Sequence, residues 1–132
     1  MSDIKRGLKD GGKAYIGFGP LYNSPYGDHK RTKAGFPWGH LMIPETSLIK
    51  KLNRSRDEKI TSIYDLDLNK LSLSEYEELF HNSGLNITYF RVNASNNPIS
   101  KIFSLMTHVP FLKEYFSHNI YCILEKPRNV RI

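Results

Sequence analysis

The 132-residue chain carries a formal net charge of +6 and is 39% hydrophobic, which indicates one globular domain with a core of its own. No stretch approaches the roughly 18 consecutive apolar residues of a membrane span. The amino-terminal segment MSDIKRGLKDGG lacks a signal-peptide core, so we expect a cytoplasmic protein. The single cysteine, Cys122, lies in an apolar run. It excludes a disulfide framework and is expected to be a buried thiol.

The positive charge is concentrated in the first half of the chain. Residues 1–60 hold 12 Lys and Arg against 6 Asp and Glu, whereas residues 61–132 hold 7 of each kind. Two clusters supply most of the excess: Lys30, Arg31 and Lys33, then Lys50, Lys51, Arg54 and Arg56. Such clusters attract polyanions, or they form a solvated helix face and a mobile loop.

The chain opens with a predicted short helix, capped by Ser2 and ended by the Gly11-Gly12 pair after Lys9. Lys13 to Phe18 is a predicted strand. Its apolar residues do not alternate cleanly with polar ones, which favours an inner strand covered on both faces.

A long aromatic loop follows, from residue 19 to about 43. Its glycines and prolines break any periodicity, while its aromatic residues argue against disorder. We expect the loop to fold back over the domain, with Phe36 and Trp38 as apolar anchors. Pro44 then opens a helix that extends to about Asn53, and residues 60–70 give no clear signal.

The second half has stronger start signals. Ser72 and Glu75 form a capping box that predicts a helix ending at Ser83-Gly84. LNITYFRVN is a predicted strand, with Leu85, Ile87, Tyr89 and Arg91 on one side. Asn97-Pro98 opens a further helix, and Pro110 precedes a short one that ends at Phe116. The predicted buried stripe of the Asn97-Pro98 helix consists of Ile99, Ile102, Phe103 and Met106.

The segment from Asn119 to Glu125 is the most apolar predicted strand, and we place it at the centre of the sheet. The element order predicts an α/β fold with a three-stranded sheet flanked by helices. Such a thin sheet leaves one edge of the Lys13–Phe18 strand bare, and bare edges invite pairing with other chains.

Several segments resemble the C-terminal half of class I S-adenosylmethionine-dependent methyltransferases, in particular the methyltransferase type 11 group. LKDGGKAYIGFGP is similar to the helix end and fifth strand, with Asp10 in place of the usual proline. YEELFHNSGLNITYFRV resembles the next helix and sixth strand, and VPFLKEYFSHNIYCILEKP the closing segment. FGPLYNSPYGDH and LNKLSLSEYEELF also match the type 11 group, so that the likeness extends from Ile4 to Pro127.

The resemblance implies the C-terminal half of a Rossmann-like methyltransferase fold. This half has a small mixed sheet, whose last strand is central and antiparallel. Residues 1–132 would form one partial domain, with residues 19–43 as a loop over the acceptor side and residues 127–132 as a tail. The implied cofactor is S-adenosylmethionine, and the implied partner is a small-molecule methyl acceptor.

The cofactor portion of the family has no counterpart here. No D/E-x-G-x-G turn follows a strand, and Gly17-Phe18-Gly19, the one G-x-G, is not followed by a predicted helix. We therefore name no cofactor-binding residues. We expect either a truncated enzyme or one half of a split enzyme whose other half lies on a companion chain. In both cases this chain alone is not expected to bind S-adenosylmethionine.

By resemblance, the loop after the first strand lies near the acceptor pocket, where Tyr22, Ser24, Tyr26 and His40 would bind substrate. His29 is the candidate general base, because the neighbouring carboxylate of Asp28 can orient its imidazole. The alternative is that Asp28 and His29 only shape a turn.

The remaining histidines, His81, His108 and His118, are expected to be capping or surface residues. Without a cysteine pair or an H-x-x-x-H motif, we expect no metal site.

Two other functions stay open. The first is a small basic module for nucleic acid or another polyanion, in which loop aromatics stack on bases. Against this reading, no nucleic-acid motif is present. A third reading is a degenerate domain retained for protein contacts through its bare sheet edge.

Overall fold

A computed structural model describes residues 1–129 as a mixed α/β structure; residues 130–132, part of the predicted tail, lie outside the described range. Within these residues, three strands form one open sheet, and the rest of the chain forms six short helices, a 3₁₀ turn and the loops between them. In chain order the elements are α1 (Ser2–Gly7), β1 (Lys13–Phe18), α2 (Gly39–Met42), α3 (Glu45–Asn53), the 3₁₀ turn (Ile63–Leu66), α4 (Leu73–His81), β2 (Asn86–Val92), α5 (Pro98–Met106), α6 (Lys113–Phe116) and β3 (Ile120–Glu125).

The sheet has the order β1-β3-β2, so the predicted central position of the last strand is confirmed. Both pairings are antiparallel, with Phe18 and Val92 each opposite Ile120. The sheet is therefore antiparallel rather than mixed, because the two strands that run in the same direction never pair with each other.

One face of this sheet carries the main core. The inward side chains of β3 are fully buried and pack with residues from the loop after β1 and from α4. The members of this core are Leu21, Leu73, Phe80, Leu85, Ile120, Cys122 and Leu124. A second apolar cluster joins α3 and the 3₁₀ turn to the loop, through Tyr22, Leu52, Ile60, Ile63, Leu66 and Leu68.

The other face of the sheet is open, so the prediction that β1 is covered on both sides is wrong. Burial along β1 alternates strictly, and Tyr15 is 76% exposed on the outer face. Tyr89 and Tyr121 are also exposed. The strand has a single covering layer, formed by α1 and α4 on the inner face.

A β-bulge changes the inward side of β2. The register shifts between Ile87 and Tyr89, where Thr88 is the extra residue. Because one extra residue reverses the side on which the following residues point, Phe90 and Val92 pack inward and Tyr89 is exposed. The prediction that Tyr89 and Arg91 share a side with Ile87 is therefore wrong.

Two predicted helix starts are confirmed by their caps, whereas the predicted burial of α5 is not. The capping box of Ser72 and Glu75 and the cap at Asn97 are both present, whereas α1 begins after Met1, so Ser2 is not its cap. The predicted buried stripe of α5 is wrong, because Ile99 and Ile102 are 66% and 60% exposed. Within residues 1–129, no helix is long and apolar enough to cross a membrane.

Candidate functional site

The carboxyl ends of β1 and β2 meet the amino end of β3 at one end of the strands. We call this end of the sheet the site edge, as distinct from the unpaired edge of β1. The register of the strands brings three segments together there: Gly19-Pro20 after β1, Asn93 after β2, and His118-Asn119 before β3. In doubly wound α/β sheets, ligands bind beyond the carboxyl ends of the strands. The resemblance therefore implies a site at this edge.

Of the cavities at this edge, two contain predicted site residues. The Phe103 cavity has a volume of about 290 Å³ and is lined by Pro25, Tyr26, Asn93, Ser95, Asn97, Ile99, Ser100, Phe103, His118 and Asn119. The Tyr76 cavity has a volume of about 200 Å³ and is lined by Phe18, Gly19, Pro20, Tyr22, Gly27, His29, Asp67, Leu68, Asn69 and Tyr76.

Asn93 holds the Phe103 cavity together. It is 2% exposed and has a φ of 53°, a left-handed conformation that Asn tolerates better than most residues. Its side-chain amide donates to the carbonyl of Phe116 at 2.7 Å, and its Oδ1 accepts from the amide of His118 at 2.8 Å. Its own carbonyl accepts from the hydroxyl of Ser100 at 2.9 Å.

His118 lies between the loop and the sheet edge. Its Nδ1 is 3.3 Å from the hydroxyl oxygen of Ser24, a residue 94 positions earlier. Burial, and then the nearby charge of His29, lower the pKa of His118 below its usual value of about 6.5. The lowered pKa favours the neutral form of the ring at pH 7.

Ser24 and His40 were predicted to bind substrate, but both are buried in the structure, and their side chains contact other groups of the protein. The hydroxyl of Ser24, which is fully buried, donates to the carbonyl of Leu21 at 2.7 Å. The Nε2 of His40 is 2.6 Å from the carbonyl of Tyr22, and its Nδ1 is 3.8 Å from the carboxylate of Asp28. These contacts fix the path of the loop.

His29 is exposed at the rim of the Tyr76 cavity, with a φ of 51°. The expectation that Asp28 orients its imidazole is wrong. The buried carboxylate of Asp28 instead accepts from the hydroxyl of Thr32 and from the backbone amide of Lys30, the latter at 3.1 Å. The side chain of Asp28 therefore ties the turn together and faces His40.

The predicted residues are divided between the two cavities. Tyr22 shares the Tyr76 cavity with His29, and burial raises the pKa of its hydroxyl. Tyr26 is 40% exposed and lines the Phe103 cavity, with the ammonium of Lys30 lying 5.7 Å from its ring centroid. Neither of these two cavities contains all five predicted residues.

Of the two predicted loop anchors, only Trp38 is packed against the rest of the protein. Trp38 donates from its indole nitrogen to the carbonyl of Tyr115 at 3.2 Å, and its ring lies 5.2 Å from that of Phe116. Phe36 remains 44% exposed. Trp38 is thus an anchor that joins the loop to α6.

Sequence reasoning missed His118, Asn93 and Asn119 as residues of the site. Their common signal is topological, since each lies directly beyond a strand end that the β1-β3-β2 order brings to one edge. His118 in particular immediately precedes the segment predicted as the central strand.

The residues present do not fit S-adenosylmethionine. A cofactor turn needs glycines that leave room for the ligand, but a Cβ on Gly19 would lie 2.7 Å from the carbonyl of His118. No helix begins directly after this turn, since the next helix in the described range is α2, which begins at Gly39. Nor do residues 1–129 contain a group of three or more His, Cys, Asp or Glu side chains placed to hold a metal ion.

The two basic clusters, which the end of the loop and α2 separate in sequence, meet in space. The ammonium of Lys51 on α3 donates to the carbonyl of Lys33 at 3.0 Å. Arg31 pairs with Asp67 at 3.6 Å, and the other basic residues of the clusters are exposed. Together they form one basic surface on the middle of the loop and α3.

No family model, no curated protein and no solved structure matches this chain.

Proposed function

We propose that this chain is the C-terminal, acceptor-side part of a class I S-adenosylmethionine-dependent methyltransferase. The cofactor portion would be supplied by other polypeptide. One observation carries the proposal: the last strand lies antiparallel between the two earlier ones, in the order β1-β3-β2. This is the arrangement that the resemblance implies for the last three strands of that family.

The uncovered surfaces of the sheet support the same proposal. Within the described residues, β1 pairs with β3 alone, so its other edge can accept a further strand. Tyr15, Tyr89 and Tyr121 leave the open face rich in aromatic surface. Both features suit a sheet that continues and is covered on its second face.

The proposed role of the chain is to complete the sheet and to supply the acceptor pocket. The two cavities lie at the carboxyl ends of β1 and β2, where an acceptor would meet a cofactor bound farther along the sheet. His29 remains the proposed general base, now without orientation by Asp28, and Tyr22 and Tyr26 remain proposed substrate contacts.

A fusion protein tests this proposal. The first four strands of a class I methyltransferase are joined to Ile4 of this chain, and binding of S-adenosylhomocysteine is measured by calorimetry. We expect the fusion to bind the cofactor product and to unfold in one transition, because the β1 edge pairs with the added sheet. The isolated chain and the isolated four-strand part are the controls.

Two outcomes contradict the proposal. Micromolar binding of S-adenosylmethionine by the 132-residue chain alone means that its cofactor site is not supplied from elsewhere. A fusion that binds no cofactor and unfolds in two independent transitions means that β1 is not a strand of that sheet.

A second candidate function is binding of a polyanion, favoured by the contact that joins the two basic clusters into one surface. Fluorescence anisotropy with a labelled single-stranded oligonucleotide tests it. Binding should weaken steeply with added salt and should fall on replacing Lys50 and Arg54 by Glu, but not on replacing Lys101, which is exposed on α5. Absence of binding at low salt excludes this function.

A further inference from the structure

The Phe103 cavity has the composition of a small-molecule site. Ligand pockets are concave and largely apolar, with a few placed polar groups, and Tyr26, Ile99 and Phe103 supply the apolar walls here. No Asp, Glu, Lys or Arg lines the cavity. Its volume of about 290 Å³ is at the lower end for such pockets. The lining therefore favours a small, uncharged and partly apolar occupant.

Most polar groups around the cavity already have partners within the protein. Both side-chain atoms of Asn93 are engaged, as described above. Asn97 accepts from the amide of Ser100 at 2.7 Å and donates to Ser95 at 3.1 Å. These groups build the wall, since their hydrogen-bonding capacity is used in holding the backbone.

Three polar groups of the lining have no hydrogen-bond partner in the part of the chain that the structure describes. They are the Nε2 of His118, the side-chain amide nitrogen of Asn119 and the hydroxyl of Tyr26. The Oδ1 of Asn119 is occupied, because it accepts from the backbone amide of Asn93 at 3.1 Å. An occupant of the cavity can therefore be recognised by a small number of specific groups.

The hydrogen bonds of Ser24 determine which ring nitrogen of His118 carries the proton. The only proton of the Ser24 hydroxyl is best placed toward the carbonyl of Leu21, at 2.7 Å, rather than toward His118 at 3.3 Å. The hydroxyl oxygen then accepts from Nδ1–H of His118. In the neutral ring the proton is on Nδ1, so Nε2 carries a lone pair and acts as an acceptor.

We propose that the Phe103 cavity binds a small uncharged aromatic alcohol of the phenol class. Its hydroxyl donates to Nε2 of His118 and accepts from the side-chain amide of Asn119, while its ring packs against Tyr26 and Phe103. The proposal concerns binding only and stands without a cofactor. The further statement that such a phenol is the methyl acceptor rests on the proposed function.

The test compares two probes that differ only in the group on one oxygen. p-Cresol carries the donor hydroxyl, and 4-methylanisole is its methyl ether, in which a methyl group replaces the hydroxyl hydrogen and no donor remains. Binding to the 132-residue chain is followed by ¹⁵N chemical-shift titration at pH 7. We expect p-cresol to bind with a Kd near or below 1 mM and to shift Asn93, Phe103 and Asn119. The ether should bind about tenfold more weakly, the loss typical of one hydrogen bond.

Three variants assign the effect to the cavity. His118→Leu should reduce the preference for p-cresol over its ether to about onefold, because the acceptor is gone. Ile99→Trp, at an exposed position on the cavity rim, should weaken both probes and leaves His118 intact if the first variant does not fold. Lys101→Ala, which is exposed on the same helix α5 but does not line the cavity, is the matched control and should change neither.

Equal affinity of the two probes for the unaltered chain overturns the proposal. Absence of p-cresol binding at a p-cresol concentration about tenfold above the expected Kd also overturns it. Shifts confined to the open sheet face around Tyr15 and Tyr121 also overturn it. Because S-adenosylmethionine is not present in these titrations, a failed fusion experiment leaves this result unaffected, and the two proposals can fail separately.

Discussion

Removing the side chain of Asn93 should destabilise the whole edge of the sheet. In Asn93→Ala, the carbonyl of Phe116 and the amide of His118 lose their partners, which lie at 2.7 and 2.8 Å. Each buried group left without a partner costs about 1–3 kcal/mol. We expect the free energy of unfolding to fall by about 3 kcal/mol, a large share of the roughly 5–15 kcal/mol of a typical domain.

The backbone conformation of Asn93 requires a second variant. Alanine is strained at a φ of 53°, by about 1–2 kcal/mol, whereas glycine adopts this conformation freely. Asn93→Gly therefore removes the side-chain hydrogen bonds without that strain. It should still lose at least about 2 kcal/mol, because the two orphaned groups are the same.

Urea unfolding followed by circular dichroism measures these losses, and Tm should fall by about 10 °C for a loss of about 3 kcal/mol. Asn96→Ala, at an exposed position in the same loop, is the control and should stay within about 0.5 kcal/mol of the unaltered chain. If both Asn93 variants also stay within that range, the hydrogen bonds do not hold this edge together.

Three further predictions concern the core and His118. Leu124→Ala, at a fully buried position of β3, should cost about 2–5 kcal/mol in urea unfolding; a loss below about 1 kcal/mol contradicts its central position. Cys122 is 1% exposed and burial raises the pKa of its thiol, so iodoacetamide should label it slowly until urea unfolds the chain, and rapid native labelling argues against burial. The lowered pKa of His118 means that the unfolded chain binds a proton first as pH falls below about 6.5. Stability should therefore decrease on acidification from that pH, and His118→Leu should flatten this part of the profile.

Local sequence signals predicted the elements well, because each depends on neighbours along the chain. The Ser72–Glu75 capping box and the Asn97-Pro98 start act through hydrogen bonds within one turn. The apolar run before Glu125 predicted a central strand, since only a strand with partners on both edges is buried so completely.

Burial of α5 was not predictable in the same way. Periodicity identifies an apolar stripe, but not whether another element covers it. Here Ser100 lies on the inner side of α5, where its hydroxyl donates to the carbonyl of Asn93. The helix is attached to the sheet edge by this polar contact, so Ile99 and Ile102 point away from the core.

The composition of the candidate site depends on contacts that span most of the chain. Ser24 reaches His118 across 94 residues, and no spacing rule connects them. The sequence placed Ser24 near a pocket through the loop resemblance, yet its hydroxyl acts on His118 instead of on a ligand. Only the strand order, known once β3 is placed between β1 and β2, brings His118 to the edge where Tyr26 lies.

The open face of the sheet distinguishes the proposed partial domain from a self-sufficient antiparallel sheet. An antiparallel sheet with one solvated face normally alternates apolar and polar residues. Here the outer face carries Tyr15, Tyr89, Tyr121 and Ile123, which is the composition of a surface covered by further structure. Together with the unpaired edge of β1 in the described range, this face supports our proposal of a larger sheet that continues beyond β1. The fusion experiment examines that proposal directly, because it adds strands next to this edge.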